Sequence, residues 1–141
     1  MPLRDLPIAQ QLFLWSVRHV VCAAEDRRNV NPLVAQFFND AGLPRVPGLI
    51  SALLRTVSAT AREGLTVNIP CGAQVTPDEA LLLQDLFGPA PHPRQASALK
   101  TKLVDGAEIV VGRRLQELAA QFDVLETMRG TREDRAAAVV H

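Results

Sequence analysis

Aromatic residues are scarce in this chain, which has no Tyr, one Trp and five Phe among its 141 residues. A hydrophobic core must therefore be built mainly from Leu, Val and Ala, and a core of that composition favours helices. A chain of this length buries about 70% of the surface that its unfolded form exposes, so it folds without disulfides or a structural metal. The composition predicts a single helical domain.

Neither sign of charge is in excess, because 15 Lys and Arg balance 15 Asp and Glu. Nucleic acid-binding domains neutralise phosphates with clustered positive charge, which this balance does not provide. A helix-turn-helix placed over residues 100–115 also fits poorly, since Asp105 and Gly112 fall where buried apolar residues belong. Nucleic acid binding is thus disfavoured, and a DNA-binding regulator is retained as a second alternative function.

Cysteine is also rare, and Cys22 and Cys71 are too few and too far apart for a secreted disulfide framework. We therefore expect a reducing, cytoplasmic environment. Long hydrophobic runs are missing as well: the most apolar segment, residues 8–24, is interrupted by polar side chains and by Arg18, and it is too short to span a bilayer. The bias to 13 Arg over two Lys, with abundant Ala, indicates a bacterial, GC-rich source.

The first two predicted helices are marked at their ends. Asp5 is placed to cap a helix that begins at Leu6, and the polar residues 25–29 close it. An Asn-Pro pair at positions 31 and 32 gives a second helix its N-cap and first residue, and Gly42 ends it.

The next two helices have equally clear signals. Apolar residues at three- and four-residue spacing predict a third helix from Pro47 to Arg62, ended by Gly64. Thr76 as N-cap and Glu79 three residues later form a capping box for a fourth helix, from Pro77 to Phe87.

Two segments are less regular. Residues 65–69 alternate apolar and polar side chains and predict one short extended segment near residues 65–70. Residues 103–111 leave two alternatives: Asp105 with Glu108 caps a long last helix, or Asp105 and Gly106 form a hairpin turn whose strands pair with residues 65–69. The helix propensity of the flanking residues favours the helix.

The predicted fold is therefore all-α, a compact bundle of five to six helices with one short extended segment. Residues 1–129 form its single domain. Residues 130–141 have little apolar periodicity, and we expect a tail that is frayed or docked on a partner.

One candidate site consists of metal-ligand residue types. His19 and Cys22 lie three residues apart on the first helix, while Cys71 and His92 lie in loops bounded by proline. Zinc accepts these four ligands in tetrahedral geometry, although a zinc site usually contains close ligand pairs, which Cys71 and His92 lack. A small zinc-binding or thiol-based protein is therefore the first alternative function.

The last helix provides the preferred candidate surface. Its apolar residues follow a four, three, four, three spacing, which is a short heptad repeat: Val111, Leu115, Leu118, Phe122 and Leu125. This stripe packs either within its own chain or against a second copy. Because no group of residues has the pattern of a catalytic site, the sequence favours a non-enzymatic protein–protein interaction or regulatory domain, with no cofactor, that forms a homodimer through its last helix.

Overall fold

The computed structural model describes residues 1–25, 32–88 and 98–139, with side chains as far as Thr127. Its α-helices are α1 (Ile8–Glu25), α2 (Pro32–Asp40), α3 (Val46–Thr60), α4 (Pro77–Phe87) and α5 (Ala107–Val139). Short 3-10 turns at Leu3–Asp5 and Lys100–Lys102 precede α1 and α5. The all-α prediction is confirmed, and within these ranges the only extended pairings are two isolated bridges.

Phe122 of α5 lies at the centre of the core. Its ring packs edge-to-face against Phe87, Phe13 and Phe38, with ring centroids 5.6, 5.9 and 6.2 Å away. These residues come from α4, α1 and α2, and α3 completes the bundle by packing against α1, α2 and α5. Four of the six aromatic residues thus meet at one point, where T-shaped ring pairs join four helices.

Gly42 ends α2 as predicted. Its φ of 79° places it in the left-handed region, which glycine adopts without a steric penalty. The next residue, Leu43, donates its N–H to the Phe38 carbonyl at 2.7 Å, and Gly42 donates to the Asn39 carbonyl at 3.1 Å. This is a Schellman C-cap. The predicted Asn31 cap lies outside the described residues.

The start of α1 differs from the prediction. Asp5 lies in the preceding 3-10 turn and Leu6 has an extended backbone, so α1 begins at Ile8. The Leu6 side chain is buried in the core, and the extended backbone brings it there. Gln11 satisfies the carbonyls at this end, since its N–H donates to Pro7 and its side chain donates to Leu6 at 2.7 Å.

The end of α3 also differs. The helix stops at Thr60 rather than Arg62, because Ala61 turns to an extended conformation and pairs antiparallel with Leu103. The Arg62 N–H donates to the Lys102 carbonyl at 2.8 Å. A short backbone pairing thus replaces the last predicted turn of the helix.

The hairpin alternative for residues 103–111 is wrong. Gly106 does form a turn, with φ of 84°, but Ala107 begins α5 directly afterwards. The Asp105 carboxylate accepts a hydrogen bond from Arg62 at 2.8 Å instead of bonding across a hairpin. Leu103 pairs with Ala61, so residues 65–69 have no strand partner there.

The last helix is longer than its buried face. The core ends at Phe122, with Leu125 half-buried, whereas the backbone stays helical to Val139. These 14 residues after Leu125 add about 21 Å of helix. The predicted change to a frayed or docked tail at residue 130 stays a prediction. In the described ranges, no helix has the length and apolar character needed to cross a bilayer.

Candidate functional site

Arg18 and Glu79 form a fully buried ion pair between α1 and α4. The guanidinium binds the carboxylate with two hydrogen bonds, Nε to Oε2 at 2.7 Å and Nη2 to Oε1 at 3.0 Å. Neither side chain is accessible to solvent. Such a fork-to-fork pair is a strong charge-assisted interaction. In the interior, its attraction offsets the cost of desolvating both charges only if the hydrogen-bond geometry is good.

Both partners also bind the segment between α3 and α4. We call residues 65–75 the strap. Arg18 donates from Nη1 to the Gly72 carbonyl at 2.8 Å and from Nη2 to the Gln74 carbonyl at 2.9 Å. Glu79 accepts the N–H of Asn68 at 3.4 Å. The strap therefore accepts the remaining hydrogen bonds of Arg18 and donates one to Glu79.

The capping box of α4 belongs to the same network. Thr76 Oγ1 accepts the Glu79 N–H at 3.0 Å, and Glu79 accepts the Thr76 N–H at 2.9 Å, as the sequence predicts. Burial by itself raises the pKa of Glu79, but hydrogen bonds from Arg18, Thr76 and Asn68 and the charge of Arg18 outweigh it. The pKa of this carboxyl group lies below its ordinary value, so the buried pair is ionised at neutral pH.

Asp78 holds the beginning of the strap. Its carboxylate accepts the Thr66 N–H at 2.7 Å and lies 3.8 Å from Lys102 Nζ. Thr76 adds a second bond there, from its hydroxyl to the Thr66 carbonyl at 2.6 Å. At the other end, the Leu3 N–H donates to the Ala73 carbonyl at 2.7 Å, beside the bridge of Pro2 and Gln74.

Sequence reasoning assigned Glu79 to the cap alone and treated Arg18 only as an interruption of an apolar helix. The usable signal was Arg18 itself, a charged residue on a helix with apolar residues on several sides. A buried guanidinium has to be paired and hydrogen-bonded, and a carboxylate is its usual counter-ion. Several carboxylates were available in the sequence, so the choice of Glu79 depends on the fold.

The proposed metal ligands lie in different environments. His19 is half-buried on α1, with its ring 5.0 Å from the ring of Trp15, and Cys22 is half-buried on the same helix. Cys71 is exposed at the tip of the strap. In the described part of the chain, no three His, Cys, Asp or Glu residues are grouped as metal ligands. His92 lies outside the described residues, so the four-ligand zinc site stays a prediction.

The predicted stripe on α5 faces its own chain. Four of its residues are at most 5% exposed and lie in the core, and the fifth is half-buried: Val111, Leu115, Leu118, Phe122 and Leu125. Their spacing therefore serves packing on the neighbouring helices. A contact between copies through α5 has to use a different face of this helix.

A groove of about 470 Å³ lies between α4 and the N-terminal turn. Its walls are mainly apolar, with Leu6, Leu83 and Phe87 among them, and its polar side chains are Gln10, Thr76 and Gln84. None of the described side chains that line it is charged. The groove has room for a small apolar group.

No family model, curated protein or solved structure matches this chain. Its ionic pair is fully buried, and the described side chains that line its groove are uncharged.

Proposed function

We propose that this chain is a non-enzymatic protein–protein interaction domain that forms a homodimer through α5. The observation that carries the proposal is a second stripe on this helix. Its residues recur at three, four, three, four spacing and all are exposed: Val110, Arg113, Glu117, Ala120 and Val124. We call this set the outer stripe. Residues at that spacing share one side of a helix, here turned away from the core.

The outer stripe carries apolar side chains that solvent reaches. Val110 is 48% exposed and Val124 is 47% exposed. Helix surfaces that pair with another helix combine such apolar positions with charges that set partner and orientation. The outer stripe has both.

Its charges favour one arrangement of two copies. In an antiparallel pair with the two-fold axis near residue 115, Arg113 of each copy faces Glu117 of the other, and Val110 faces Ala120. In a parallel pair, Arg113 would face Arg113, and Glu117 would face Glu117. An isologous contact requires a self-complementary surface, which the antiparallel arrangement provides.

Glu117 has one partner within its own helix, Arg114, at 3.9 Å. Both side chains are about 40% exposed, and a solvated pair of this kind contributes little to stability. Glu117 can therefore exchange this contact for one with a second copy at a small cost in stability.

Sedimentation velocity of the full chain at micromolar concentration tests this function. We expect a dimer for the unmodified chain and a monomer for Ala120→Glu, which places a carboxylate opposite Val110. Gln116→Glu is the matched control, because it adds the same charge at an exposed position of α5 outside the outer stripe. A monomeric unmodified chain, or equal effects of the two variants, would contradict the proposal.

A further inference from the structure

We infer that the strap, residues 65–75, opens as one unit while the helices stay packed, and that the buried Arg18–Glu79 pair is the latch that holds it closed. This inference is independent of the homodimer, since it concerns α1, α4 and the strap. It rests on how the strap is held and on what it covers.

The strap is held mainly by side chains of the helices, and its end near α4 also pairs with the N-terminal residues, where Leu3 donates to the Ala73 carbonyl at 2.7 Å and Val75 donates to the Met1 carbonyl at 2.9 Å. It contains no helix or strand. Its backbone groups bind three charged side chains: Arg18 takes the carbonyls of Gly72 and Gln74, Asp78 the N–H of Thr66, and Glu79 the N–H of Asn68. Two of those three side chains are the ion pair itself.

The strap contributes little to the core. None of its side chains is fully buried, and Ile69 at its tip is 63% exposed. Only Leu65, Val67 and Val75 pack partly against the core residues. Segments with few buried apolar contacts open locally at a lower free energy than the packed helices. The stability of the strap is therefore set by its polar contacts, and the Arg18–Glu79 latch provides the fully buried ones.

The strap is also what keeps the ion pair dry. Arg18 is 1% exposed and Glu79 is 0% exposed, although both bind the strap, which is itself at the surface. Opening the strap exposes both charged groups to water. If one partner is removed, the other charge is buried and unpaired in the closed form, so the open form, in which it is hydrated, becomes more favourable.

Gly72 allows the strap to pack closely on its own Asn68 side chain. A Cβ at this position would collide with the side chain of Asn68. That side chain bridges the strap, donating to the Gln74 carbonyl at 2.9 Å and accepting the Ile69 N–H at 2.8 Å. Gly72→Ala thus loosens the strap without changing either charge of the latch.

Amide hydrogen exchange of the full chain, followed residue by residue, tests the inference. In the unmodified protein, the amides of Thr66, Asn68 and Val75 are expected to share one opening free energy, below that of core amides such as Leu53 and Leu118. Their exchange should depend only weakly on low concentrations of denaturant, because opening the strap exposes little surface.

Two variants and a control complete the test. Glu79→Gln should accelerate all three strap amides together by about a hundredfold or more. Gly72→Ala should accelerate the same amides, whereas Asp105→Asn, which removes the exposed partner of Arg62, should leave them unchanged. The inference is wrong if strap and core amides of the unmodified protein exchange at one opening free energy. It is equally wrong if Glu79→Gln accelerates Asn68 alone, which bonds directly to Glu79.

Discussion

Arg18 and Glu79 are separated by 61 residues in the sequence, and their side chains meet with a hydrogen bond of 2.7 Å in the interior. This pair joins α1 to α4 and binds the strap between α3 and α4 through Gly72 and Gln74. A buried ionic contact therefore helps to hold in place a segment that has no regular secondary structure.

Replacing either partner of this pair should be strongly destabilising. Glu79→Gln preserves the size of the side chain but leaves the Arg18 charge buried without a counter-ion, which costs about 3–5 kcal/mol of unfolding free energy. Chemical denaturation of both proteins measures this difference. Asp105→Asn removes an exposed ion pair and should have no measurable effect on the midpoint. Equal midpoints for the unmodified protein and Glu79→Gln would contradict the role of the pair.

The pH dependence of stability follows from the lowered pKa of Glu79. The ordinary value is 4.5 and the folded value lies below it, so the unfolded chain takes up the proton first as the pH falls. The carboxylate therefore stabilises the fold fully above about pH 4.5, and this contribution is lost as the pH falls through the folded pKa. Denaturation midpoints between pH 7 and pH 3 should fall less steeply for Glu79→Gln than for the unmodified protein. Parallel curves would count against this.

Phe122 should be the most sensitive aromatic position. Its ring contacts those of Phe13, Phe38 and Phe87, so Phe122→Ala opens a cavity where four helices meet. Substitutions of this kind cost about 3–5 kcal/mol. Ile109→Ala, on the same helix but 63% exposed, should change the unfolding free energy far less. Thermal or chemical denaturation distinguishes the two.

Two glycines should respond in opposite directions to alanine. Gly42 has a φ of 79°, where a Cβ costs about 1–2 kcal/mol. Gly112 lies inside α5 with open space around its Cα, so Gly112→Ala should stabilise the fold by about 0.5–1 kcal/mol. Unfolding free energies of the two variants provide the measurement, and a stabilised Gly42→Ala protein would contradict the Schellman cap.

Much of the fold could be predicted from local sequence, because its helix ends are encoded within a few residues. The Thr76–Glu79 capping box and the Gly42 cap needed no tertiary information. The ends that were mispredicted are set by tertiary contacts. The core position of Leu6 shifts the start of α1, and the pairing of Ala61 with Leu103 ends α3 early.

The buried network was beyond prediction for the same reason. The residues that Arg18 binds come from another helix and from the strap, and no periodicity relates them to position 18. The α5 stripe was recognised from its spacing, but spacing alone does not say whether Leu118 and Phe122 meet their own chain or a copy. Their burial in the core decides that, and it directs attention to the outer stripe.

A charge-exchange experiment on the outer stripe tests the proposed homodimer most directly. Arg113→Glu and Glu117→Arg each place like charges across the antiparallel contact, whereas the double variant restores opposite charges in exchanged positions. Sedimentation equilibrium at micromolar concentration should show a dimer for the unmodified chain, weaker association for each single variant, and recovery of the dimer in the double variant. A double variant that associates no better than the single variants, or an unmodified chain that is monomeric throughout, would contradict the account.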